Sequence, residues 1–67
     1  MIEIQVNGAV RRFDSAISLA ELLQQLDLSG TRLALERNGH VVPKSLHRHE
    51  QIQAGDRFEI VMAVGGG

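Results

Sequence analysis

The sequence of 67 residues contains no cysteine, no tryptophan and no tyrosine, and it has a single proline. Without cysteine the chain can form neither disulfide bonds nor thiolate metal sites, and it has no thiol nucleophile. The chain has seven Lys and Arg residues and eight Asp and Glu residues, which gives a net charge of −1. Nucleic-acid binders normally carry a basic surplus together with stacking aromatic side chains, so the composition disfavours that class.

Long apolar runs are also missing. No segment approaches the roughly 20 consecutive apolar residues that a membrane-spanning helix needs. Strand-like alternation begins at Ile2, which leaves no room for the basic and apolar parts of a secretory signal. We therefore expect a cytoplasmic protein without membrane contact. A hydrophobic content of 43% and a charged content of 22% are typical of one small globular domain with a thin core.

Two Asn-Gly pairs predict two β-hairpins. The segment 2–6 alternates between apolar and polar residues, and Asn7-Gly8 then favours a type I′ turn that returns the chain over residues 9–13. The pair Asn38-Gly39 connects the segment 32–37 to a short strand that Pro43 ends. Residues 57–63 alternate again and predict a last strand.

A helix start lies between the hairpins. In Ser18-Leu19-Ala20-Glu21 the Ser18 hydroxyl can accept from the Glu21 amide, and the Glu21 carboxylate can reach back to Ser18, as in a capping box. Ile17 and Leu22 are placed as a hydrophobic staple. The helical spacing of the leucines predicts a helix over residues 19–28, with Gly30 as its stop. The leucines that share its apolar face are Leu19, Leu22, Leu23 and Leu26.

The resulting order is β-β-α-β-β-loop-β. It predicts an α+β fold with a mixed sheet of about five strands and one main helix packed on one face. The loop over residues 44–53 is polar, with isolated Leu46 and Ile52 and room for one turn of 3₁₀ helix, and a turn follows at 54–56. We expect one domain over residues 1–63 and a flexible glycine tail over 64–67.

The sequence resembles the ThiS family, the sulfur carrier proteins of thiamine biosynthesis, which have the ubiquitin-like β-grasp fold. The resemblance covers the whole chain. The stretches that carry it are "MIEIQVNG", "SLAELLQQLDL", "LALERNGHVVPKSL", "IQAGDRFEIV" and "AVGGG". A terminal Gly-Gly alone is weak evidence, but with "VVP" after an Asn-Gly turn and "GDRFEIV" near the end it becomes specific.

The resemblance implies a chemistry for the last residue. An E1-like (ThiF-like) adenylyltransferase would use ATP and magnesium to adenylate the α-carboxylate of Gly67, with Gly66 beside it and Gly65 as a spacer. A sulfur-donating enzyme would then complete a thiocarboxylate, and a ThiG-like thiazole synthase would take the sulfur for the thiazole ring. The chain itself is then neither an enzyme nor the holder of a cofactor or metal, and we expect a monomer when it is free.

The last strand also predicts a docking surface. If Phe58, Ile60 and Met62 point under the helix, Val61 and Ala63 lie on the open face of the sheet, where apolar side chains mark a partner site. We expect the partners to contact the apolar residues next to the tail, namely Val61, Ala63 and Val64. A slip of one residue in register would invert this assignment.

Other interpretations stay open at this point. The glycines could be a frayed terminus or a cloning linker. The same terminal chemistry serves the small subunit of molybdopterin synthase, and a ubiquitin-like modifier would link its tail to lysines. His40, His47, His49 and Glu50 could suggest zinc, but their spacing fits no defined site and we expect a solvated loop. The seven Lys and Arg residues are scattered and are expected to lie mostly on the surface.

Overall fold

The structure is a computed structural model that describes residues 1–29 and 32–62. Its elements follow the predicted order. The strands and the helix are β1 (Ile2–Val6), β2 (Ala9–Phe13), α1 (Leu19–Gln25), β3 (Leu33–Arg37), β4 (His40–Val41) and β5 (Arg57–Met62). A 3₁₀ helix over Lys44–Leu46 lies in the predicted loop. The expected boundary between domain and tail lies outside the described residues.

The strands form one mixed sheet in the order β2-β1-β5-β3-β4. Only β1 and β5 pair in parallel, with Gln5 opposite Arg57, and the other described pairs are antiparallel. The crossover through α1 takes the chain from the β1–β2 hairpin at one edge of the sheet to β3 and β4 at the opposite edge. The last strand is therefore the central one, with a neighbour on each side.

Both hairpins turn at the predicted Asn-Gly pairs. Asn7 and Gly8 have φ of 50° and 84°, and Asn38 and Gly39 have φ of 52° and 87°. Positive φ at both central residues is the requirement of a type I′ turn, and asparagine and glycine tolerate it best. The two hairpin predictions are confirmed.

The turn asparagines have a second role that the sequence did not indicate. The Asn7 side-chain oxygen accepts the Ile60 amide at 2.8 Å, and the Asn38 side-chain oxygen accepts the Arg57 amide at 2.9 Å. Each side chain thus continues the backbone pairing of β5 where the neighbouring strand has ended. As a result, β5 is fixed from both hairpins.

The helix begins as predicted. The Ser18 hydroxyl accepts the Glu21 amide at 3.0 Å, whereas the described residues show no return bond from the Glu21 carboxylate. Two further amides of the first turn bind the long loop, because Leu19 donates to the Glu50 carbonyl and Ala20 to the His47 carbonyl. The first turn therefore satisfies its free amides and ties the loop to the helix.

The helix ends earlier than the predicted residue 28. Asp27 adopts a left-handed conformation with φ of 63°, and its amide donates to the Gln24 carbonyl at 3.0 Å. The Leu28 amide donates to the Leu23 carbonyl at 2.8 Å, which completes a Schellman motif. Aspartate can take this conformation, so it ends the helix in the place of a glycine. The predicted stop, Gly30, lies outside the described residues.

The core lies between α1 and one face of the sheet. Its buried apolar residues are Ile4, Val6, Leu19, Leu22, Leu23, Leu35, Val42, Ile52, Phe58 and Ile60. Leu26 and Ile17 pack against this cluster, as the helical spacing and the staple predict. Ile52 is 1% exposed, so the long loop is not simply polar, as the sequence suggested, but contributes a side chain to the core.

Candidate functional site

Strand β5 leads directly to the predicted reactive end of the chain. It is described as far as Met62. The predicted residues beyond it, Ala63, Val64, Gly65, Gly66 and Gly67, lie outside the described residues. The structure therefore positions the strand from which the glycine segment continues.

The register of β5 is the predicted one. Phe58 and Ile60 are 1% and 8% exposed, whereas Val61 between them and the tail is 58% exposed on the open face. Met62 was expected beneath the helix but is 40% exposed. Its cross-strand partner Leu33 is itself only partly buried, because the core ends at this edge of the sheet. Val61 thus lies where a partner can contact it.

The neighbours of Val61 form an apolar spot beside a concentration of negative charge. Ala34 lies directly opposite Val61 on β3, and both are exposed. Two positions away, Glu36 and Glu59 lie opposite each other on the same face. Like charges in directly opposed positions destabilise a sheet, so this pair costs stability in the free protein. A partner that brings basic groups to this face would relieve that repulsion.

A polar network holds the turn before β5. The Arg37 guanidinium donates to Asp56 at 3.0 Å, to Glu50 at 3.1 Å and to the Gln51 carbonyl at 2.7 Å. Asp56 is 5% exposed and also accepts the Gln53 amide at 2.8 Å. The Arg37 side chain is only 16% exposed, so this residue is an exception to the expectation that the Lys and Arg side chains lie mostly on the surface. The network joins β3 to the start of β5.

The histidines differ in environment. His47 is buried, with Nε2 2.9 Å from the Val42 carbonyl oxygen, to which it can donate, so the expectation of a solvated histidine is wrong here. His40 and His49 are exposed. Within residues 1–29 and 32–62 no group of three or more His, Asp or Glu side chains is arranged to hold a metal ion. In the same part of the chain, no helix has the length and apolar character to cross a membrane.

A helix laid across a mixed five-stranded sheet, with the last strand at its centre, defines a ubiquitin-like β-grasp protein. The model of the ThiS family matches residues 4–67. The crystal structure of the thiamine biosynthesis protein ThiS from Geobacter metallireducens is similar, with a TM-score of 0.83 and 26% identity over 98% of this chain and 100% of that one. The chain belongs to the ThiS family.

Three further relatives differ in size. The ycf40 protein of Porphyra purpurea is 38% identical over 98% of this chain and 93% of its own length. The thiazole synthase of Paramagnetospirillum magneticum is 35% identical over 98% of this chain, but the match is only 20% of that protein. A second thiazole synthase, from Magnetococcus marinus, is 30% identical and also matches over 20% of its length. The chain spans about a fifth of the thiazole synthases it matches.

Proposed function

We propose that this chain carries sulfur as a thiocarboxylate formed on the α-carboxylate of Gly67. The observation that carries the proposal is that the family match extends through residue 67 and so includes the glycine end. Glycines lack a Cβ atom, so an extended glycine segment is the thinnest that a chain can insert into another active site. Because the chain has no cysteine, no thiol side chain can carry the sulfur.

The proposed reaction needs an activating partner. A carboxylate is a poor acyl donor, because its oxygen is a poor leaving group until it is activated. An E1-like adenylyltransferase would join the Gly67 carboxylate to the α-phosphorus of ATP and release pyrophosphate, with magnesium offsetting the phosphate charge. Hydrosulfide delivered by a sulfur-donating enzyme would then attack the acyl carbon and displace AMP, which leaves the thiocarboxylate on Gly67. In this scheme the chain supplies the acyl group, and its partners supply the catalysis.

The proposed acceptor is a thiazole synthase. Thiazole synthases of two organisms include a region similar to this chain, which supports a close working relation between the two proteins. A tether between carrier and acceptor would raise their effective concentration without any new contact. Where carrier and acceptor are separate proteins, a docking surface would have to supply that proximity.

The proposed docking surface for the activating enzyme is the open face around Val61, continued by Ala63 and Val64. Val61 and Ala34 offer an apolar contact, and Glu36 and Glu59 offer charge to basic groups of the partner. Exposed apolar side chains beside a charged pair provide both affinity and orientation.

We expect Val61→Asp to weaken docking without unfolding the protein. The side chain is 58% exposed, but aspartate is a poor strand former and adds like charge to this face, so the free energy of unfolding should fall by about 1 kcal/mol, which leaves the protein folded. A third carboxylate beside Glu36 and Glu59 and the loss of the apolar contact should raise the KM for the activating enzyme about tenfold. Steady-state adenylation, followed as pyrophosphate release, measures this.

The matched control is Val10→Asp. Val10 is 49% exposed on the same face but lies on β2, two strands from β5. It should leave the KM unchanged. An equal effect of the two substitutions would show that docking does not centre on Val61.

The sulfur-carrier chemistry itself is tested by the intact mass of the protein. After incubation with ATP, magnesium, the activating enzyme and a sulfur source, the mass should rise by the difference between sulfur and oxygen, and fragmentation should place the change on the C-terminal fragment. Omission of ATP should abolish the gain. If an activating enzyme that loads a known carrier leaves this chain unchanged, the proposal is wrong. Tails found linked to lysines of other proteins would instead identify a modifier.

A further inference from the structure

A groove of about 570 Å³ lies between α1, with the residues that follow it, and the β3–β4 edge of the sheet. Its floor is apolar, with Leu23, Leu33, Leu35 and Val42 among its lining residues. Cavities of this size are large enough for a ligand or for several side chains of a partner. The proposed chemistry at Gly67 makes no use of this groove.

The rim of the groove is basic. Arg32, Lys44 and Arg48 line it, and all three are exposed. Among the described residues that line the groove there is no aspartate or glutamate. The chain as a whole has a net charge of −1, so this is a local concentration of positive charge on a slightly acidic protein. Such a rim attracts an anionic partner.

The groove also runs along an incompletely paired strand. Strand β4 pairs with Glu36 and Arg37, and the Val42 amide donates to the Leu35 carbonyl at 2.9 Å. Pro43 follows and starts the 3₁₀ helix, which takes the chain away from β3. In the described part of the chain, Leu33 and Ala34 therefore have a strand, β5, on one side only. An added strand could bind backbone groups on the other side.

From these three features we infer that the groove binds an extended, acidic segment of a partner protein, in which apolar side chains and aspartate or glutamate share the same side of the strand. In a strand, alternate side chains point to opposite sides. Every second side chain of a segment that lies along β3 could therefore face the groove, with apolar side chains over the leucine floor and carboxylates near Arg32, Lys44 and Arg48 at the rim. Backbone pairing at a sheet edge supplies affinity, and the side chains supply specificity.

The inferred surface differs from the docking face around Val61. The groove meets the open face at Ala34 and Val41, and the floor and the basic rim lie toward the helix and its flanking segments. The two surfaces also have opposite charge, since Glu36 and Glu59 lie on the open face. A second protein could therefore be held in the groove while the activating enzyme engages the tail.

The test uses the full chain and a short fluorescent peptide in which every second residue is leucine or glutamate in turn, so that both face the groove, and the residues between them are serine. Fluorescence anisotropy should show saturable binding that weakens as salt is added. A peptide with lysine in place of glutamate should not bind. Charge reversal in Arg32→Glu, Lys44→Glu or Arg48→Glu should weaken binding about tenfold each, since a like charge replaces an attraction.

The matched control is Arg11→Glu, an exposed charge reversal on β2 at the other edge of the sheet, which should leave peptide affinity unchanged. Amide shifts on peptide addition should cluster at Ala20, Leu23, Leu33 and Val42. Equal loss of affinity in Arg11→Glu, or shifts confined to the open face, would overturn the inference.

The same amide-shift experiment distinguishes the peptide from two other occupants of the groove, a small anion and a second copy of the chain. Inorganic phosphate that reproduces the amide shifts would indicate a small anion in place of a peptide. Shifts that depend on protein concentration without peptide would indicate a second copy of the chain. Either result overturns the inferred occupant. ATP-dependent gain of sulfur is expected to persist in the three groove variants, so failure of the groove inference and failure of the carrier chemistry are distinguishable.

Discussion

Conversion of the Gly67 carboxylate to an amide is expected to eliminate sulfur loading, while the protein stays folded. The amide has the same length and shape as the acid, but it lacks the carboxylate oxygen that would attack ATP. A chain of 67 residues is accessible to chemical synthesis, so the acid and the amide can be prepared alike. Intact mass after incubation with the activating system measures loading. A gain of sulfur by the amide would show that the reactive group is elsewhere.

Truncation tests whether the length of the glycine segment matters. Because the last three residues are all glycine, removal of one changes the length but not the kind of terminal residue. Removal of Gly67 leaves a chain that still ends in two glycines but is shorter by about 3.3–3.6 Å when extended. We expect this shorter chain to lose sulfur transfer, because its carboxylate would no longer reach the acyl-transfer position. Loading at the normal rate would show that the third glycine is dispensable. Addition of one alanine after Gly67 should also block transfer, by placing a Cβ atom at the reacting residue.

The second large effect is expected in Asp56→Ala, which should lower the free energy of unfolding by about 3 kcal/mol. Asp56 is 5% exposed and accepts hydrogen bonds from Arg37, Asn38 and the Gln53 amide. Its removal leaves the largely buried Arg37 guanidinium with less compensation. For a chain of this length, total stability is of the order of 3–10 kcal/mol, so the variant should lose about a third of it or more.

Urea denaturation, monitored by circular dichroism, measures the difference in the free energy of unfolding between Asp56→Ala and the unaltered protein. Asp14→Ala is the matched control, because Asp14 is exposed and takes part in none of the hydrogen bonds of the described side chains. It should change stability by no more than about 0.5 kcal/mol. If Asp56→Ala is as mild as the control, the network does not fix the start of β5 in the way the hydrogen bonds suggest.

Much of the fold could be predicted from the sequence, because its signals are local. Asn7-Gly8 and Asn38-Gly39 specify their turns through the conformations that those residues tolerate. Ser18 and Glu21 specify the start of α1 through one hydrogen bond three residues apart. The prediction that Val61 lies on the open face of the sheet is also local, because it follows from the alternation of side chains along β5.

The errors concern residues whose environment depends on distant parts of the chain. Ile52 and His47 lie in a segment that looks polar, but the segment binds the first turn of α1 and so brings them inside. Arg37 looks like one of several surface cations until the fold brings Asp56 beside it. Asp27 ends the helix because it tolerates positive φ. In the sequence, Gly30 is the more obvious candidate for this role, because glycine is the usual residue at a helix end.

The basic rim of the groove could not be predicted from the sequence for the same reason. Arg32, Lys44 and Arg48 are separated along the sequence and appear scattered in it. They share a rim because the short β4 and the 3₁₀ helix return the chain toward α1. A charge pattern made by tertiary structure leaves no periodic signal in the sequence.

The parallel pairing of β1 and β5 would have a mechanical consequence for the proposed carrier, whose glycine end would enter other enzymes. The two strands bind each other through Gln5 to Asp56 and Asn7 to Phe58, and they run in the same direction from near the N-terminus and toward the C-terminus. A pull between the two ends loads these bonds in shear, so they resist together instead of opening one after another. An enzyme that draws the glycine segment into its active site would therefore work against the strongest loading direction of the sheet.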